Sequence, residues 1–212
     1  MKKIIYLFVA ILLLNNTVIS QKKSKQFDKI VFETGKWNDI LKKAKDNDKI
    51  IMLDIYASWC GPCKWMEREV FADKNIAEFY NNNFICARFD GEKGEGIDLL
   101  KKFEIKAYPS FIFCNGDEEM LHRYIGGMNQ DDFIKLGEIA LDTNRRIGEA
   151  IKKYNQGNRN PDFLLDYLLK LIEIDLRPYD VFESYFKQVR EEEIVSFNHL
   201  KIIKNFVQDL DN

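Results

Sequence analysis

The sequence predicts an α/β domain, a central mixed sheet flanked by helices, with a C-terminal all-helical extension. Three observations carry that class. Elements in the first two thirds run βαβ, then a β-hairpin, then a helix. The run Ile50 to Tyr56 is nearly all apolar, as expected of a strand covered on both faces. Strand signals stop at Asn144, and only helical stripes follow.

Composition narrows the classes further. The 212 residues are 46% apolar and 13% aromatic, enough to bury a core and too many for a disordered chain. A net charge of −2 without long basic runs argues against a nucleic-acid partner. Four cysteines are too few for a disulfide-built scaffold, and two distant histidines, His122 and His199, do not suit a zinc site. No cofactor or metal site is expected. The glycines Gly91, Gly94 and Gly96 lack the strand, helix and Lys-Ser/Thr of a phosphate loop and read as a turn.

The elements follow in order. Lys2 and Lys3 precede an apolar run of 11 residues, Ile4 to Leu14, and Asn15-Asn16-Thr17 breaks it. That is the layout of a secretory signal peptide over 1–20, too short for a spanning helix. An uncleaved N-terminal anchor is the alternative. The mature chain then starts near Gln21 in a compartment where disulfides persist. Trp37, Ile40, Leu41 and Ala44 fit one face of a helix. After the first strand come a helix through Phe71, another near Asn75 to Asn81, and a second buried strand, Phe84 to Phe89. The glycine turn leads into a short helix to Phe103. Pro109 precedes the strand Ser110 to Cys114, Asn115-Gly116-Asp117 turns the chain, and Met120 to Ile125 returns. Gly126-Gly127 leads into a helix over Phe133 to Leu141.

The extension reads as four short amphipathic helices. Their stripes are Ile147, Ala150, Ile151, Tyr154; then Leu164, Leu168, Leu171, Ile172; then Val181, Phe182, Tyr185, Phe186; then Leu200, Ile203, Val207. Asn160 and Pro161 suit the cap and first turn of the second. The resulting division is 1–20 signal peptide, 21–142 α/β domain and 143–212 helical extension. The extension packs on the first domain or offers a surface to a protein partner.

The chemistry sits at Trp59-Cys60-Gly61-Pro62-Cys63-Lys64. Two cysteines three apart, after a buried strand and at the start of a helix, suit a redox pair. A structural disulfide or half a metal site are the other readings. Backbone N–H groups at the helix start favour a Cys60 thiolate, and Pro62 loses no hydrogen bond there.

The stretch Leu53-Asp54-Ile55-Tyr56-Ala57-Ser58-Trp59-Cys60-Gly61-Pro62-Cys63-Lys64 resembles the active-site strand and helix of thioredoxins. Tyr108-Pro109-Ser110 resembles the family's cis-proline segment, and Gly126 its glycine after the last strand. The resemblance spans about Phe27 to Leu141 and implies a thioredoxin fold. Among relatives it points to exported, periplasmic bacterial thioredoxin-like proteins and to the C-terminal domain of periplasmic reductase relay proteins. It implies that Cys60 attacks a substrate disulfide and Cys63 resolves the mixed disulfide, with Asp54 accepting the Cys63 proton. Pro109 is expected in cis, leaving nearby backbone for an extended substrate. Trp59, Gly61, Pro62, Tyr108 and Gly126 form the implied docking surface, with Trp59 covering the disulfide. Arg88 stands where the family carries a lysine near the buried acid. Tyr108 is bulkier than the family's usual residue.

The function expected is a thiol–disulfide oxidoreductase that reduces disulfides of exported proteins and is recharged by a membrane thiol donor. An oxidase or isomerase, or a non-enzymatic scaffold built on the helical tail, are the alternatives. Cys86 and Cys114 are expected as buried small hydrophobes.

Overall fold

The computed structural model describes residues 27–190 and 194–207. The expected signal segment and the tail after Val207 lie outside them.

Helix α1 (Trp37–Asp46) leads into β1 (Ile50–Tyr56), and a turn carries the chain to α2 (Gly61–Trp65). A π-helical turn, Met66–Val70, continues α2. Then come α3 (Lys74–Asn83), β2 (Phe84–Asp90), α4 (Glu95–Lys102), β3 (Ser110–Cys114), β4 (Met120–Ile125) and α5 (Gln130–Leu141). The extension holds α6 (Gly148–Asn155), α7 (Pro161–Glu173), α8 (Tyr179–Phe186) and α9 (Phe197–Val207).

The four strands lie in the order β2-β1-β3-β4. β1 and β2 are parallel, while β1–β3 and β3–β4 are antiparallel, so the sheet is mixed. Strand alternation assigns the two faces. Met52, Cys86, Phe111 and Phe113 join Met66, Phe71, Ile76, Tyr80 and Phe133 in one core. Ile51, Leu53, Ile55, Ala87 and Ile112 join Trp37, Ile40, Ala44 and Leu99 in the other. Both faces are therefore covered, which is why β1 reads as an apolar run broken only by Asp54. Cys86 and Cys114 are buried free thiols on strands that β1 separates. Burial pushes the Cys114 thiol up to about 12, so both behave as hydrophobes.

A third core belongs to the extension: Ile147, Ala150 and Tyr154 pack with Leu164, Leu168, Leu171, Val181, Tyr185, Ile202 and Phe206. Asn160 caps α7 through Oδ1, which accepts from the Asp162 and Phe163 N–H groups. At the start of α6, Gly148 lies directly on the outer strand. A Cβ there would stand 2.9 Å from Leu121 Cα and 3.0 Å from the Met120 carbonyl oxygen.

Two expectations need correcting. The buried residues of α9 are His199, Ile202 and Phe206, whereas of the expected stripe Leu200 is 53% exposed and Ile203 half-buried. His199 is inside because its Nε2 and Nδ1 each lie 2.6 Å from a hydroxyl, those of Tyr185 and Ser196. A hydrogen-bonded histidine thus takes the place expected for leucine. Gly96 is no turn residue either, since it sits inside α4. A Cβ there would lie 2.0 Å from the Asp90 carbonyl oxygen, so the glycine lets α4 close onto the end of β2.

Candidate active site

β1 ends at Tyr56, and a tight turn carries the chain to Cys60, where the Cys60 N–H donates to the Ala57 carbonyl at 3.0 Å. Cys60 is the N-cap of α2, and its Sγ accepts from the Cys63 N–H at 3.1 Å. Cys60 and Cys63 are joined in a disulfide. Pro62 lies in the first turn of α2, where a missing N–H costs nothing. Gly61 faces open space. The two sulfur-bearing residues are only 2% and 1% exposed, packed with Ala57 under the half-buried rings of Tyr56 and Tyr108.

Trp59 does not join that cover. It stands outward, 66% exposed, and its indole N–H donates to the Glu92 carboxylate at 2.9 and 3.0 Å. Its ring meets Tyr108 edge-on, with centroids 6.0 Å apart. The Tyr108–Pro109 bond is cis, and the Gly126 N–H donates to the Pro109 carbonyl at 2.8 Å. That carbonyl is therefore occupied within the fold. Gly126, at φ +112°, joins the cis-proline segment to the loop beside the redox helix. Next to it, a Cβ on Gly127 would lie 3.7 Å from Pro62 Cβ, so this loop packs on α2.

Asp54 is buried mid-strand, 1% exposed, with Arg88 beside it in register on β2 and Phe111 across on β3. Loss of hydration raises its pKa to about 7. Arg88, whose Nε lies 2.9 Å from Oδ2, pulls the other way without overcoming burial. An acid poised near neutrality, on the strand that leads into a cysteine pair, can exchange protons at working pH.

Sequence reading gave Glu67 and Glu92 no place, took Gly91 only as a turn glycine and Tyr56 only as part of the active-site strand. Tyr56 could have been read from its place at the end of the active-site strand, whereas no spacing rule pointed to the other three. Gly91 makes the notch for Tyr108, because a Cβ there would lie 2.8 Å from both Tyr108 Cε1 and Oη. Gly91→Ala is expected to push the Tyr108 ring off its seat. The Tyr108 atoms end a flexible side chain, but Ile55 Cγ2 would also lie 3.0 Å away in the core, so stability should fall by about 1–3 kcal/mol. Nuclear Overhauser contacts between Trp59 and Tyr108 report the move, and an unchanged set would refute it.

Two clefts of about 540 and 690 Å³ lie where the sheet meets the extension, lined by residues such as Phe103, Arg123 and Tyr167 in one and His122, Leu136 and Ile174 in the other. Neither borders the cysteine pair.

Strand, redox helix and cis-proline segment define a thioredoxin-like domain, and the family model described as Thioredoxin-like domain matches residues 37–140. The chain is 30% identical over 100 residues to the H-type thioredoxin of Brassica campestris, covering 47% of this chain and 76% of that one. It is 29% identical over 121 residues to the thiol:disulfide interchange protein DsbD of Campylobacter jejuni, covering 57% of this chain and 20% of DsbD. A solution structure of a candidate disulphide-isomerase from Bacteroides thetaiotaomicron aligns with TM-score 0.51 and 34% identity, over 56% of this chain and 98% of that one. The match to fruit-fly thioredoxin-1 spans 64% of that relative's length. The chain belongs to the thioredoxin family.

Proposed function

We propose that the protein is a thiol–disulfide oxidoreductase that reduces disulfides in exported proteins. The observation carrying this reading is the Cys60–Cys63 disulfide at the start of α2, with Asp54 buried in the strand before it. In the reduced protein the Cys60 thiolate attacks a substrate disulfide. A Cys60–substrate bond forms, the substrate S–S bond breaks, and the first leaving thiolate takes a proton from water. Cys63 then gives its proton to Asp54 and attacks Cys60 Sγ, releasing the second substrate thiolate. Two electrons pass to the substrate and the Cys60–Cys63 disulfide re-forms.

The substrate class is protein disulfides. The cysteine pair borders neither large cleft, and Trp59, Tyr108, Gly61 and Pro62 give it a surface suited to a polypeptide. With the Pro109 carbonyl occupied, the backbone at Tyr108 is the place for an extended substrate segment. Met1 to Ser20 acts as an export signal to the periplasm, and a membrane thiol donor returns the pair to the dithiol. The Campylobacter relative named as a thiol:disulfide interchange protein supports a relay of that kind.

The Bacteroides neighbour named as a candidate disulphide-isomerase favours isomerisation as the second reading. A redox titration followed by Trp59 fluorescence separates them. A reduction potential near about −270 mV makes the protein a reductant, and one between about −180 and −120 mV makes it an isomerase or oxidase. Cys63→Ser is expected to accumulate a mixed disulfide through Cys60, visible by mass spectrometry. A double Cys→Ser variant that keeps full function would instead make the protein a scaffold.

A further inference from the structure

Arg88 stands between two carboxylates of opposite exposure. Its Nε lies 2.9 Å from Oδ2 of buried Asp54, and its Nη1 lies 2.9 Å from Oε2 of Glu67. Glu67 is exposed, on the π-helical turn four residues after Cys63. Aromatic rings surround the same guanidinium: its Cζ is 4.2 Å from the Tyr56 ring centroid and 5.8 Å from those of Phe32 and Phe71. Held on these sides, Arg88 meets Asp54 through one nitrogen. Its Nε–H is not aligned on the carboxylate as a hydrogen bond, and Asp54 Oδ1 has no hydrogen-bond partner among the described residues.

A two-pronged arginine–carboxylate pair would hold Asp54 ionised and make it a poor proton acceptor. Arg88 Nη1 instead stands at ion-pair distance, 2.9 Å, from Glu67 Oε2. The two carboxylates therefore compete for one cation, and the Glu67 charge itself opposes ionisation of Asp54. No other charged group of the described residues acts appreciably on Asp54 from the elements around it. Across β3 stands Phe111, and Met66 and Phe71 cover the same face. Lys64, Arg68 and Glu69 stay in solvent, Arg68 beside Glu69 at 3.8 Å. Cys60 and Cys63 join the titrating groups once reduced.

We propose that Glu67 is a positioning residue for the reaction, drawing Arg88 away from full pairing with Asp54 so that the buried acid can take up and release the Cys63 proton. This rests on the reading that Asp54 is the proton acceptor of a disulfide reductant.

The test is a carbon-13 carboxyl NMR titration of Asp54 in the oxidised protein, with Asp54→Asn assigning the signal. Glu67→Gln is expected to lower the Asp54 midpoint by about half a pH unit or more. Arg88→Gln should raise it, and Glu69→Gln should leave it in place. The low-pH limb of the rate of disulfide reduction should move with the midpoint in Glu67→Gln. A midpoint unmoved or raised in Glu67→Gln overturns the inference, as does an equal drop in Glu69→Gln, which would reduce the effect to general surface charge. A lowered midpoint with a stationary kinetic limb overturns it too. Wild-type protein that reduces no disulfide is a separate result, visible without any variant, and it removes the functional reading along with the inference.

Discussion

Replacing Asp54 with asparagine is expected to stabilise the oxidised protein by about 4 kcal/mol above pH 8, and by only about 1–2 kcal/mol at pH 5. The sign follows from the direction of the shift. Burial raises the Asp54 pKa to about 7, well above an ordinary aspartate, so the fold prefers the protonated acid. Its contribution is most favourable below the unfolded pKa near 4, and it is lost as pH rises through 7. Above that pH the folded chain must hold a buried carboxylate that Arg88 only partly compensates. Asparagine has the same shape and cannot ionise, while Arg88 keeps Glu67 as its partner. Urea unfolding of both proteins at pH 5 and pH 8 measures the difference. A gain equal at the two pH values, or a loss at pH 8, would show that Asp54 is not buried at this cost. The reading of function adds a companion expectation: the same variant resolves mixed disulfides more slowly.

The second large effect lies in the core beneath the site. Phe133→Ala is expected to cost about 3–5 kcal/mol. The Phe133 ring is fully buried, stacked on Tyr80 at 4.3 Å, and within 5.0 and 5.6 Å of Phe111 and Phe71. Its own carbonyl accepts the Tyr80 hydroxyl at 2.6 Å, so ring and backbone brace α5 against α3. Truncation leaves a void that four packed elements cannot close. Phe111 is the register partner of Asp54, so loosening it should also raise amide exchange around β1. A loss under about 1 kcal/mol would mean that the neighbouring rings collapse into the gap.

Much of this was legible in the sequence. The nearly continuous apolar run of β1, the hairpin turn at Asn115-Gly116-Asp117 and the cysteine pair are local signals whose meaning survives folding. Asp54 and Arg88 stood out by their places in the family pattern. Other features escaped because they depend on distant neighbours. Glu67 became notable only when the parallel register of β1 and β2 brought Arg88 beside Asp54. Gly91 looked like turn glycine, yet its role is set by a ring 17 positions away in sequence. The π-helical turn left no mark in composition. His199 was passed over as polar, because the two hydroxyls that make its burial tolerable come from separate elements.

Gly148 on the backbone of β4 has a consequence for how copies of this chain meet one another. A sheet whose last strand is bare is a template, since its unpaired N–H and C=O groups can recruit any extended segment, including the matching strand of a second molecule. In this chain the first helix of the extension sits against that rim as a gasket, closer than any side chain would permit. That contact covers the rim at Met120 and Leu121, where an added strand would have to begin. On the opposite side the backbone at Glu33 already bonds the Cys86 carbonyl and begins to close the other rim.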